Sequence, residues 1–296
     1  MAENTYWRSP DLGAPRDLDV PGGKLRCFEA GDRSAPTIVF VHGLLVNANL
    51  WRKVVPRLSD RFHCVSLDLP LGSHELALPN ADLSPTGLAD LITAALEALD
   101  VSDVTLAGTD TGGGLCQIAI TRDQSRVGRL FLTSCDAFEN FPPKFFAYLT
   151  WTAKLPGAFF SYGFAPLRLE APRYLPIAFG WLVHNRMERE ATDSYVLPPI
   201  TAKGPRDDVR RLLPQIDPSY LLDAAAKFGE FKKPVLIAWS EDDKFFPPPH
   251  ADRLAATFPD ARVEWIADSR TFSSEDQPER VAELVGEFAA KPAAVT

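Results

Sequence analysis

The feature that most constrains this chain is an alternation of short β-rich apolar runs with helical stretches, interrupted once in the middle. Strands are read at 37–41 (TIVFV), 62–67 (FHCVSL), 104–107 (VTLA) and 130–134 (LFLTS). Ser84-Pro85-Thr86 supplies a cap and an early proline for a helix through 99, with apolar residues at Leu88, Leu91, Ile92, Ala95, Leu96 and Leu99. A second helix is expected at 113–121. The pattern resumes with a strand at 235–239 (VLIAW), a helix at 249–257, a strand at 262–266 and a helix at 278–289. Such alternation predicts an α/β fold, a mostly parallel sheet covered by helices on both faces.

The interruption has its own character. Residues 138–181 hold 13 of the 31 aromatic residues in 44 of the 296 positions, with many prolines and no strand-like run. A polar helix-like stretch at 187–195 and a charged one at 206–213 follow. The expected organisation is a core domain made of 1–136 and 214–296, with an inserted helical lid at 137–213. The alanine-rich tail after Lys291 is expected to fray.

Composition narrows the function classes. With 31 basic and 39 acidic residues the net charge is −8, which argues against nucleic acid and anionic membranes as partners, because phosphate contacts need clustered Lys and Arg. No apolar run approaches the ~20 residues of a membrane helix, and residues 1–11 lack the basic-then-apolar layout of a signal peptide. Cys27, Cys64, Cys116 and Cys135 are scattered and form no CxxC pair, so they read as reduced thiols. The expectation is a cytoplasmic protein needing no metal or cofactor.

The most informative string is Gly108-Thr109-Asp110-Thr111-Gly112-Gly113, between a predicted strand and a predicted helix. Flanking glycines permit a strained turn, and the central side chain then projects at a helix N-terminus, where N–H groups favour negative charge. A carboxylate there is ionised at neutral pH and can attack an alkyl carbon. His42-Gly43-Leu44, after the first long strand, lies where such a turn finds an oxyanion-hole donor, so the backbone N–H groups of Leu44 and Thr111 are the candidate anion site.

Together with 39–58 (VFVHGLLVNANLWRKVVPRL), 68–73 (DLPLGS) and 234–254 (PVLIAWSEDDKFFPPPHADRL), the elbow resembles the Asp-nucleophile branch of the α/β-hydrolases, similar to haloalkane dehalogenases and epoxide hydrolases. The resemblance implies Asp110 as nucleophile and an acid at Asp243 or Asp136; each acid also fits a loop carboxylate without a catalytic role. It further implies a base histidine after the last strand, before a Q-P-E helix. Here that turn reads 266–272 (IADSRTF) before Gln277-Pro278-Glu279, which sets Thr271 at the histidine's place. A threonine hydroxyl cannot take a proton from water near neutral pH. Of the five histidines, His42, His63 and His250 read as structural or exposed, and His74 and His184 as near the pocket mouth at most.

Two further departures bear on the reaction. Leu44 and Thr111 stand where dehalogenases carry the halide-binding Asn and Trp. The oxyanion loop lacks the epoxide hydrolases' proline, and Tyr148, Tyr162, Tyr174 and Tyr195 are candidates for their two lid tyrosines. An aromatic lid over a carboxylate predicts an apolar pocket, with Phe138, Phe141, Tyr148 and Trp151 as candidate walls and a small hydrophobic substrate, aromatic or polycyclic. Such a pocket raises the Asp110 pKa unless the oxyanion donors offset desolvation. Three readings stay open: a hydrolase acting on an epoxide, alkyl halide or ester-like compound; a lyase or isomerase using Asp110 as acid or base; and a non-catalytic ligand-binding homologue.

Overall fold

Two antiparallel strands that the sequence reading does not anticipate, β1 (Ala14–Val20) and β2 (Gly23–Ala30), open the fold. The computed structural model describes residues 6–290, so the alanine-rich tail lies outside the described residues. Six further strands follow: β3 (Thr37–Val41), β4 (His63–Leu67), β5 (Val104–Thr109), β6 (Val127–Cys135), β7 (Val235–Ser240) and β8 (Ala261–Ile266). They form one sheet in the order β1-β2-β4-β3-β5-β6-β7-β8. Strands β3 to β8 run parallel, and β2 joins β4 antiparallel.

The core helices are α1 (Pro85–Leu99) and α2 (Asp110–Arg122), which precede the insertion. Between β6 and β7 the described elements are all helical: α3 (Ala147–Thr152), α4 (Gly157–Phe164), α5 (Glu170–Arg173), α6 (Arg189–Thr201), α7 (Lys203–Leu212) and α8 (Ser219–Ala225), with short 3-10 turns. After the chain re-enters the sheet at β7, α9 (Pro249–Thr257) precedes β8, and α10 (Ser273–Asp276) and α11 (Pro278–Ala289) follow it. Ser84 caps α1 by accepting from Gly87 N–H, with Pro85 at its first turn.

Both sheet faces are buried, because adjacent residues of a strand point to opposite sides. On β3, Val39 and Val41 join one core with Leu88 and Ile92 of α1 and Leu115 of α2. Ile38 and Phe40 join the other with Trp51 and with Val281 and Val285 of α11. This brings the loops after β3, β5, β6, β7 and β8 to one rim, the carboxyl ends of parallel strands, where α/β sheets bind ligands.

Candidate active site

The elbow sits on that rim. Thr109 ends β5, and Asp110 is the first residue of α2, with φ of 52°. That left-handed value is costly for a side-chain-bearing residue and marks a strained turn. The helix therefore begins three residues before the expected 113. Glycines make the close packing possible. A Cβ on Gly112 would stand 2.3 Å from the His42 carbonyl oxygen, one on Gly113 2.4 Å from Cys135 Cβ, and one on Gly43 2.0 Å from Asp110 Oδ2.

Asp110 Oδ2 accepts from the Leu44 N–H at 3.1 Å, and the Thr111 N–H also bonds the carboxylate. Burial pushes the Asp110 pKa up to about 7, the two N–H groups oppose the rise, and the charge of Asp243 adds to it. Desolvation outweighs the donors.

Asp136, directly after β6, is buried beneath the elbow. The Thr111 hydroxyl donates to its Oδ2 at 2.9 Å, and its Oδ1 has no partner among the described residues. Burial, then the charge of Asp110, pushes its pKa well above the carboxylate range. The two carboxyl groups titrate together. Asp136 is not among the residues lining the cavity.

Asp243 lies in the loop after β7. Its Oδ1 accepts from the N–H groups of Phe245 and Phe246, both at 2.8 Å, and from the Thr271 hydroxyl at 3.1 Å. Burial raises its pKa. Thr271 is fully buried, so the loops after β7 and β8 meet through its hydroxyl and the Asp243 carboxylate.

No histidine ring lines the cavity above Asp110. His42 Nδ1 donates to the Gly43 carbonyl at 2.8 Å, and its Nε2 accepts from Leu69 N–H at 3.0 Å. Burial pushes its pKa down to about 4, which keeps it a neutral fixture of the loop. His63 bonds Glu29, and His74, fully buried rather than at a pocket mouth, bonds Asp208. His184 bonds Asp242. His250 is half-buried and sets its ring against Phe138.

The cavity has a volume of about 100 Å³. Leu44, Leu45, Asp110 and Thr111 form part of its wall, and Phe146, Tyr148, Phe179 and Tyr195 come from the insertion. Asp110 is the only carboxylate among the lining residues, which include no Trp or Asn. Of the four expected wall residues only Tyr148 lines it. Phe138 and Phe141 are buried as packing, Phe138 beneath the Arg253 guanidinium, and Trp151 points outward at 65 % exposure.

Of the four candidate tyrosines, Tyr148 and Tyr195 line the cavity. Tyr195 is fully buried and its hydroxyl has no hydrogen-bond partner among the described residues. Tyr162 faces outward, and the Tyr174 hydroxyl donates to the Met187 carbonyl. The sequence reading also misses Phe179, Leu182 and Phe272 in the wall. Phe272 was within reach, as the neighbour of Thr271; Phe179 and Leu182 depend on how the insertion folds back. Among the described residues, no group of three or more His, Cys, Asp or Glu side chains could hold a metal ion. No described helix is long and apolar enough to cross a membrane.

The family model for the alpha/beta hydrolase fold matches residues 36–278. A cis-3-alkyl-4-alkyloxetan-2-one decarboxylase of Xanthomonas campestris is 26% identical over 298 residues, covering 93% of this chain and 95% of that protein. A haloalkane dehalogenase of Mesorhizobium japonicum is 30% identical over 134 residues, 44% of this chain and 43% of the relative. An alpha/beta hydrolase fold protein from Burkholderia ambifaria superposes with a TM-score of 0.78 at 23% identity, over 92% of this chain and 97% of that one. At that identity the structural likeness speaks to the fold alone.

Proposed function

The chain belongs to the alpha/beta hydrolase fold family, and from that premise we propose an enzyme that uses Asp110 as nucleophile on a compact, apolar small molecule. One observation carries the reading: a single carboxylate, strained at an elbow and held by two backbone N–H groups, faces an otherwise apolar cavity. Residues 137–213 act in this reading as a lid. The cavity of about 100 Å³ suits a compact ligand rather than a polycyclic one, since ~150 Å³ accommodates benzene.

The wall favours a strained cyclic oxygen compound, such as an epoxide, over an alkyl halide. Two tyrosines, Tyr148 and Tyr195, are among its residues and could protonate a leaving oxygen, while no Trp or Asn is there to hold a halide. In the first step a carboxylate oxygen of Asp110 bonds the ring carbon, the ring C–O bond breaks, and the alkoxide takes a proton from Tyr148 or Tyr195, which water later restores. Water then adds to the ester carbonyl. The oxyanion so formed lies against the N–H groups of Leu44 and Thr111, which already hold that carboxylate.

The water's proton is the weak point. Thr271 donates its own proton to Asp243 and cannot act as base, which leaves a carboxylate such as Asp243 to accept it. Alkylation therefore outruns hydrolysis, and the ester accumulates. A second reading rests on the Asp110 pKa of about 7: a carboxyl group poised there serves equally as a general acid or base in a lyase or isomerase step.

Intact-mass spectra recorded with product release, over epoxide, alkyl-halide and ester panels, separate these readings. An adduct on Asp110 that forms faster than it clears supports the nucleophile. Turnover without any adduct, abolished in Asp110→Asn, supports acid–base chemistry. Binding alone defeats both. Thr271→His is expected to speed clearance of the adduct by at least about a hundredfold, the lower end of general-base assistance; unchanged clearance counts against Thr271 as the base position.

A further inference from the structure

Twelve large hydrophobic side chains are exposed among the described residues, and nine of them lie between Phe145 and Trp181. They are not scattered over the insertion. Tyr148 and Trp151 are one turn apart on α3, and Phe159 and Tyr162, at 63 % and 72 % exposure, are one turn apart on α4. Phe145 packs against Trp181 with ring centroids 5.4 Å apart. Tyr148 and Ile177 are exposed and also line the Asp110 cavity, so the apolar surface continues into the cavity mouth. Soluble proteins rarely leave such a collection of aromatic and aliphatic groups open without a use.

Charge on the same segment runs against the rest of the molecule. Residues 141–187 carry five basic residues and one acidic residue, in a chain of net charge −8. The acid, Glu170, is paired with Arg186, and Arg173 is buried against Asp193. Lys144, Lys154 and Arg168 are exposed and have no ion-pair partner among the described residues. Bordering acids are mostly engaged: Glu139 by Arg253, Glu188 by Arg52 and Lys53, Asp242 by His184. Glu190 on α6 is the exposed exception. Unpaired cations among exposed Trp, Tyr, Phe and Leu match an anionic lipid interface, where rings sit at headgroup depth and each Lys or Arg adds attraction.

We propose that the face of the insertion around the cavity mouth docks on an anionic lipid surface, so that an apolar substrate dissolved in the lipid enters directly. The route to Asp110 rests on the reading of the cavity as an apolar substrate site; the docking does not. The overall acidity of the chain is no obstacle, because the attraction acts within a Debye length of the surface.

Cosedimentation tests it, using the whole chain and vesicles of phosphatidylcholine alone or mixed equally with phosphatidylglycerol. Binding is expected only to the mixed vesicles and is expected to weaken with salt. The triple variant Lys144→Glu, Lys154→Glu, Arg168→Glu should bind at least about tenfold more weakly, and Trp151→Ser should also bind more weakly. These side chains are exposed, so the fold is retained. No binding to mixed vesicles overturns the proposal. So does a triple variant that binds like wild type, or a dimer in sedimentation whose contact consumes this face. Asp110→Asn should bind vesicles like the parent protein, which keeps a failure of docking distinct from a failure of the nucleophile.

Discussion

At the scale of the residue, the proposed role of Asp110 carries its own pH dependence. Its pKa rises from 3.8 to about 7, mainly through burial. The nucleophilic carboxylate therefore appears as pH rises through about 7, and the rate of adduct formation should climb over that range and then level. Stability moves the other way. The unfolded chain releases this proton near 3.8 and the folded one near 7, so stability is fully present below the lower value and is lost as pH rises to the upper one. Asp110→Asn is expected to change the melting temperature little at pH 4 and to stabilise the protein at pH 8, by up to about 4 kcal/mol. Asp136 and Asp243, raised for the same reason, keep some of the slope in the variant. A melting-temperature profile with the same slope in both proteins would show that Asp110 ionises normally.

At the scale of the element, the elbow shows what glycine does and what a sequence can say about it. Gly112 has two carbonyl oxygens, of His42 and Val41, at 2.3 and 2.7 Å from where a Cβ would stand. Neither is a flexible side-chain end, so Gly112→Ala must push α2 away from β3. That should cost about 1–3 kcal/mol by urea denaturation, and adduct formation should fall further than stability, because the shift parts Leu44 N–H from Asp110. Gly163 on α4 has nothing within 4 Å of its Cβ position, so Gly163→Ala should leave reactivity alone and stabilise by about 0.5–1 kcal/mol. The elbow was legible because it concentrates its meaning in six adjacent residues. Strands β3, β5, β6 and β7 were legible because burial on both faces leaves mainly apolar runs, and β8 (ARVEWI), a half-exposed edge, because it follows in the same alternation. The β1–β2 hairpin was not: β1 is an edge strand, largely exposed, and its sequence APRDLDV alternates charge with few apolar residues. The walls of the cavity were not either. Phe138 and Phe141, in the turn after β6, and Trp151, on α3, have the right composition and the right neighbourhood, but which of them faces Asp110 is decided by packing from remote segments.

At the scale of the whole molecule, the chain divides into a sheet and an insertion between β6 and β7 that includes several very short helices. Helix α3 has six residues and α5 has four, lengths that gain nothing from helix cooperativity and depend on tertiary contacts. Much of their apolar surface is exposed instead of buried. Local opening should therefore cost far less in the insertion than in the inner strands of the sheet, which pair with a neighbour on each side. Trypsin reads that difference directly, because it cuts only segments that open. Lys154 lies between α3 and α4, and Arg168 ends the 3-10 turn before α5; both are exposed. Limited digestion should nick one of these two bonds first, with the two fragments remaining associated through the sheet on a sizing column. A compact apolar ligand in the cavity bridges Asp110 and the insertion, so it should slow that first cut in proportion to occupancy. First cleavage in the core helices, or a rate that ignores such a ligand, would mean that the insertion is as firmly fixed as the sheet and that entry to Asp110 does not depend on its movement.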